Sequence, residues 1–117
     1  MQAVGKPYHG LKVLDVSQGF VTSCCAGLLE LYGADIIKVE PPQGDWCRDI
    51  GRNIAGQTAL HIVGNRGKRS IALNLKQEEG LSVLHRLAEG CDVFIESLRP
   101  DVAERLGIGL SLIHISE

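Results

Sequence analysis

Asn65-Arg66-Gly67-Lys68-Arg69-Ser70-Ile71-Ala72-Leu73-Asn74-Leu75-Lys76 concentrates the positive charge of this chain and runs straight into an alternating apolar pattern. From Ser70 to Leu75 the side chains of Ile71, Leu73 and Leu75 fall on one face and those of Ser70, Ala72 and Asn74 on the other, the period of two that a half-buried strand requires. The stretch therefore reads as a strand preceded by a basic loop. Arg66, Lys68 and Arg69 before it and Lys76 after it place four cations near its two ends, where a polyanion on the sheet edge would meet them. A phosphate-bearing ligand is one explanation of that charge, and ordinary solvation of cations at strand ends is the other. Local charge alone does not choose between them.

Outward from this strand, helical and strand patterns alternate. Upstream, Leu11 to Val16 reads as a first strand, aliphatic and bounded by Gly10. From Val21 to Tyr32 the residues Val21, Cys24, Cys25, Leu28, Leu29 and Tyr32 recur at helical spacing, with Thr22 or Ser23 as cap and Gly33 as stop. Asp35 to Glu40 reads as a second strand, ended by Pro41-Pro42 because proline cannot donate to a ladder. Strand, helix and strand in so short a span imply a right-handed parallel crossover.

Residues Pro41 to Gly56, which hold the single tryptophan, Trp46, read as a long functional loop, and Gln57 to Val63 as a short helix. Beyond the basic strand, Leu81, Leu84, Leu87 and Ala88 define a second crossover helix from Glu78 to Ala88, with acids at its start, Arg86 near its end and Gly90 as its stop. Cys91 to Glu96 supplies a fourth strand, and Asp101 caps a short helix to Leu106. The fold class expected is α/β, a Rossmann-like parallel sheet with its crevice at the carboxyl ends of the strands.

Composition narrows the function classes. A length of 117 residues with 44% hydrophobic and 22% charged residues suits one modest globular core. A net charge of -2 and 4% aromatic residues argue against a general nucleic-acid binder. No apolar run approaches bilayer length and the amino terminus carries no leader pattern, so no membrane partner and a cytoplasmic location are expected. The four cysteines, Cys24, Cys25, Cys47 and Cys91, show no zinc spacing, and no metal site is expected. Cys24 and Cys25 read as small buried residues of the first helix, and His61 as a packing residue.

A nicotinamide dinucleotide site deserves weighing. Glu40 ends the second strand roughly 20 residues after Gly19, the spacing of an acid that binds a ribose. The turn Ser17-Gln18-Gly19-Phe20-Val21-Thr22, however, holds a single glycine, and without the others the backbone cannot come close to a pyrophosphate.

Taken together, Leu11-Lys12-Val13-Leu14-Asp15, Gly33 to Glu40, Asn65 to Ile71 and Glu96-Ser97-Leu98-Arg99-Pro100 resemble the amino-terminal part of the class III CoA-transferases, the family of formyl-CoA transferase, carnitine CoA-transferase and methylacyl-CoA racemase. The resemblance spans about residues 9 to 109, four blocks in order with matching gaps. It implies the amino-terminal part of a Rossmann-like large domain in an interlocked homodimer, acting on an acyl-CoA and a carboxylic acid. Coenzyme A is then a substrate, and no permanently bound cofactor is expected. Its phosphates would answer the basic cluster.

Carried over by position, the family's CoA contacts fall on Phe20 and Val21, on Leu73, Asn74, Leu75 and Lys76, on Ser97, Leu98 and Arg99, and on Arg105. Charge favours Lys76, Arg99 and Arg105 as phosphate partners, with Leu73 and Leu75 as apolar walls. The chain departs from the family pattern in three places: Val21-Thr22-Ser23 replaces a common Ala-Gly-Pro, Pro41 stands where arginine is frequent, and Ser97-Leu98 replaces an Asn-Phe pair.

The resemblance also implies a nucleophilic aspartate that attacks the thioester and passes through an aspartyl-CoA intermediate. That aspartate belongs to sequence beyond the matched blocks, so no catalytic residue is expected here and the 117-residue chain is expected to be an inactive fragment. An acyl-CoA racemase fragment, or a non-catalytic nucleotide-binding module, are the alternatives. Residues 1–109 are expected to form the family segment. Residues 110–117, which leave the pattern abruptly, are expected to be a non-native tail.

Overall fold

The structure, a computed structural model, describes residues 5–107. The expected tail at residues 110–117 lies outside the described residues. Along the chain stand β1 (Lys12–Asp15), α1 (Val21–Leu31), β2 (Asp35–Glu40), a 3-10 turn (Trp46–Asp49), β3 (Asn53–Ile54), β4 (Gln57–Thr58), α2 (Ala59–Asn65), β5 (Arg69–Ala72), α3 (Glu78–Glu89), β6 (Val93–Ile95) and α4 (Pro100–Arg105). Four strands pair in parallel in the order β5-β2-β1-β6, with helical crossovers between them, as the alternating pattern predicts.

The central strand β1 is buried on both faces. On one side Leu14 and Val16 join Val39, Leu84, Ala88 and Ala103, which brings α3 and α4 onto the sheet. On the other, Val13 and Ile36 join Ala26 and Ala34, which brings α1 onto it. Alternate residues of one strand thus serve two cores, the reason the strand reads as nearly continuous aliphatics. Leu84 is fully enclosed, and truncating such a side chain costs about 2–5 kcal/mol through lost transfer energy and the cavity left behind.

Several local expectations are corrected. The strand anchored on Ser70 to Leu75 is shorter, Arg69–Ala72, and its ladder ends where the Leu73 N–H donates to the Glu40 carbonyl at 2.9 Å. Asn74 then turns the chain, accepting the Lys76 N–H on its side chain and the Gln77 N–H on its carbonyl. Leu73 and Leu75 still pack on the α3 core. The segment expected to be a helix from Gln57 instead begins as the second strand of a tight hairpin, β3 with β4, and the helix starts at Ala59. Thr58 explains the change, because its Oγ1 caps the helix by accepting the His61 N–H.

Helix α1 is oriented differently from its apolar spacing. The buried residues are Ser23 and Ala26, whereas Val21 is 82% exposed and Cys25, Leu28 and Tyr32 also face out. Close approach decides this. The helix meets α2 through small residues, so that a Cβ on Gly27 would lie 3.5 Å from the Gly64 carbonyl oxygen and one on Gly64 would lie 3.6 Å from the Ser23 Cβ. Neither Thr22 nor Ser23 caps the helix; Phe20 holds that position without a side-chain bond. Arg99, not Asp101, is the cap of α4, with Pro100 in the first turn where its missing N–H costs nothing.

Candidate functional site

At the carboxyl ends of β1 and β2 the structure opens a cleft of about 650 Å³. One wall is the chain leaving β5, Leu73, Asn74, Leu75 and Lys76, and the opposite wall is Leu98 with Val102, Arg105 and Leu106 of α4. Its floor is Val16, Gln18 and Val39, and its rim Glu40, Pro41, Pro42 and Gln43. Apolar walls with a few converging polar groups are the usual make-up of a small-molecule site of this size.

Six of the residues carried over from the family pattern meet in this cleft: Leu73, Asn74, Leu75, Lys76, Leu98 and Arg105. Four do not line it. Phe20 caps α1 and leans toward Gly64 of α2, and Val21 projects into solvent. Ser97 accepts the Gln18 N–H at 3.3 Å, tying two strand ends together, and Arg99 is exposed at the start of α4. Missing from the sequence expectation are Val102 and Leu106 on the wall formed by α4 and, at the strand ends, Val16, Gln18, Val39 and Pro41 to Gln43. The signal for the strand-end residues was available, since each follows or ends a parallel strand at its carboxyl end, where such sheets bind ligands.

Beneath the cleft lies a group of charges that the sequence does not pair. Asp15 and Lys38 are register partners on β1 and β2 and face the α1 side. Lys68, expected among the ligand-facing cations, is instead buried: its ammonium lies 2.8 Å from Asp15 and also donates to the Ser23 carbonyl and to Asn65. Burial lowers its pKa, and the Asp15 carboxylate partly offsets that. Lys38 pairs with Asp45 at 2.9 Å and donates to the Ser17 carbonyl and the Ser23 hydroxyl. Arg69 is spent on an exposed pair with Asp35 at 2.7 Å. Of the four cations flanking β5, only Lys76 lines the cleft.

These pairs hold the turn after β1. Asp15 accepts both the N–H and the hydroxyl of Ser17, and Asp45 accepts the N–H groups of Gly19 and Cys47. Burial works against ionisation of Asp45, but the Cys47 N–H, Lys38 and the Gly19 N–H outweigh it and lower its pKa. Gly19 adopts φ +92°, and a Cβ there would come within 2.6 Å of the Trp46 ring. The single glycine of this turn is therefore required by backbone conformation and by packing against Trp46.

Glu40, weighed above as a ribose ligand, is fully engaged. It accepts two bonds from Arg48 at 2.8 and 2.9 Å, one from Ser70 at 2.6 Å and one from the Asp45 N–H at 3.0 Å. Although burial alone would raise its pKa, the Arg48 and Ser70 bonds, the Asp45 N–H and the Arg48 charge hold it down at about 2. A ribose hydroxyl would find no free oxygen there.

The cysteine expectation is reversed in part. Cys25 is exposed and Cys24 half-buried, while Cys47, from the loop, is buried, and burial raises its thiol pKa. His61 is buried as expected, its Nδ1 3.3 Å from the Asn65 amide, and burial lowers its pKa. Among the described residues no helix is long and apolar enough to cross a membrane, and no three His, Cys, Asp or Glu side chains gather as metal ligands would.

Comparison with known proteins identifies the family and the fold. Residues 8–114 match the profile of CoA-transferase family III. The chain is 31% identical over 110 residues to the (R)-2-hydroxy-4-methylpentanoate CoA-transferase of Clostridioides difficile, covering 90% of this chain and 28% of that protein. It is 36% identical over 106 residues to the human succinyl-CoA:glutarate CoA-transferase, covering 89% of this chain and 24% of that protein. Among solved structures, a CAIB/BAIF family protein from Brucella suis superposes with a TM-score of 0.87 at 34% identity, over 94% of this chain and 31% of that one. The chain thus spans about a quarter of the length of these two curated relatives.

Proposed function

The chain belongs to CoA-transferase family III, and on that premise we propose that it supplies the coenzyme A crevice of an enzyme that moves CoA from an acyl-CoA to a carboxylic acid. The observation that carries this is the cleft itself: Lys76 and Arg105 are its lining cations, set among apolar side chains, the combination that the phosphates and the uncharged arm of a long amphiphilic thioester call for. Leu73, Leu75, Val39 and Leu98 offer the surface for its uncharged parts. Ser97, Arg99, Phe20 and Val21 belong to the same reading as contacts around the cleft rather than within it.

The chemistry assigned is nucleophilic: a carboxylate attacks the thioester, and the acyl group and CoA exchange through an aspartyl-CoA intermediate. The state of the carboxylates supports placing that nucleophile in family sequence outside this chain. Glu40 at the cleft rim, and Asp15 and Asp45 of the buried charge group, are each engaged by a cation. A carboxylate so held is a poor nucleophile, and the 117-residue chain is accordingly assigned binding without transfer. The same reading carries a cytoplasmic enzyme and an interlocked homodimer. The apolar stripe of Val21, Cys25 and Leu28 on α1, with Tyr32 at its end, is a surface suited to being covered in such an assembly.

Calorimetric titration of the chain with CoA tests the binding half. Saturable binding that weakens about tenfold or more when Lys76 and Arg105 are both replaced by alanine is expected, and no binding, or binding indifferent to those charges, overturns the assignment. Measurable acyl-CoA:carboxylate transfer by the purified chain would place the nucleophile within it instead.

A further inference from the structure

We propose that Arg48, which does not line the cleft, sets the cleft's affinity for anions by neutralising Glu40, the one carboxylate among its described lining residues. The inference rests on the assignment of the cleft to a phosphate-bearing ligand and adds to it a residue that acts through another.

Glu40 ends β2 at the cleft rim, and its side chain is 5% exposed. With Lys76 and Arg105 as the lining cations, an uncompensated carboxylate there would oppose every phosphate that enters, more strongly than in water because the surroundings are poorly polarisable. The Arg48 fork closes on both carboxylate oxygens, at 2.8 and 2.9 Å, the bidentate geometry that a guanidinium and a carboxylate favour. Ser70 and the Asp45 N–H occupy the remaining acceptor positions.

Arg48 is not an ordinary surface arginine that happens to reach a neighbour. It sits in the 3-10 turn capped by Asp45, whose own carboxylate is anchored by Lys38 and by the Gly19 N–H. The turn is also pinned from the far side, where Thr58 donates to the Cys47 carbonyl at 2.6 Å. The arginine stem crosses Gly44, whose φ of +89° and missing Cβ leave room for it: a Cβ there would lie 2.9 Å from the Arg48 Cδ. These features together serve to present one guanidinium to one carboxylate.

If the pair only held the loop in place, breaking it further would make binding worse. If its role is to mask charge, removing the charge it masks restores binding. The experiment compares wild type, Arg48→Gln, and Arg48→Gln/Glu40→Gln by calorimetric titration with CoA and with inorganic pyrophosphate, at low and at high salt. Arg48→Gln keeps most of the stem over Gly44, and Arg48→Lys, which keeps the charge, controls for loss of fold together with the circular dichroism spectrum.

Arg48→Gln is expected to bind both probes about tenfold more weakly at low salt, with the gap narrowing in part as salt screens the entering anion from the unmasked charge. The double variant is expected to return to within about threefold of wild type, as is Arg48→Lys. Pantetheine, which carries no phosphate, should not distinguish the variants. A double variant that binds as weakly as Arg48→Gln, or an Arg48→Gln chain that binds like wild type, overturns the proposal. Wild type that takes pyrophosphate but not CoA overturns the CoA assignment and leaves the Arg48 comparison to be read on pyrophosphate. Wild type that takes neither overturns both.

Discussion

Two sets of cations flank the same sheet and have opposite fates. Lys38 and Lys68 lie under α1 with their ammonium groups on Asp45 and Asp15, their side chains 1% exposed. Lys76 and Arg105 stand at the cleft walls with exposed side chains. In the sequence Lys68 and Lys76 are neighbours of one strand and look alike. What separates them is the partner: a buried lysine is tolerable only beside a carboxylate, and a lysine that has spent its charge on the fold is not free to hold a phosphate.

That contrast can be broken at its buried end first. Lys68→Ala leaves Asp15 enclosed and unpaired, and a loss of about 3–5 kcal/mol is expected in urea unfolding followed by circular dichroism. A loss no greater than that of a surface substitution would mean that Asp15 is solvated. Close behind comes the link between the two regions. Glu40 is held at about 2 against an ordinary value of 4.5, so the stability it contributes is present above about pH 4.5 and disappears as the pH falls toward 2. The amount is on the order of 3 kcal/mol, and it should be missing from the acid unfolding curve of Glu40→Gln.

Gly80→Ala probes the cleft wall from behind. A Cβ at that position would lie 2.1 Å from the Asn74 carbonyl oxygen, so the backbone of Leu73 to Lys76 must move. A cost of about 1–3 kcal/mol and a matching loss of CoA affinity are expected from thermal melts and titration. At the open end the effects divide differently. Replacing Lys76 and Arg105 should weaken CoA binding about tenfold while leaving the melting temperature within about 2 °C, since neither makes a buried pair. Smallest of all, Arg69→Ala removes an exposed pair with Asp35 and should change stability by less than about 1 kcal/mol.

Much of the architecture was legible because its signals are local. Ile36, Ile37 and Val39 between Gly33 and Pro41 specify β2 to the residue, and the spacing of Leu81, Leu84, Leu87 and Ala88 specifies α3. The place of the cleft was legible from the strand-end rule, and six of its lining residues from the family blocks. Pairing across the chain was not. Lys68 finds Asp15 from 53 positions away, and nothing in either neighbourhood announces the other. The orientation of α1 was hidden too, because hydrophobic spacing favours the larger side chains, whereas the available gap against the sheet and α2 admits Ser23, Ala26 and Gly27.

The sheet order carries a further consequence. Among the described residues β5 and β6 are its outer members, each hydrogen-bonded to a strand on one side alone, so each offers a row of amide and carbonyl groups ready to accept another strand. Val93, Phe94 and Ile95 of β6 are only partly covered, which makes that border both sticky and able to template further pairing. Concentrated solutions of this chain should add strands at β6 before they lose the helices packed on either face.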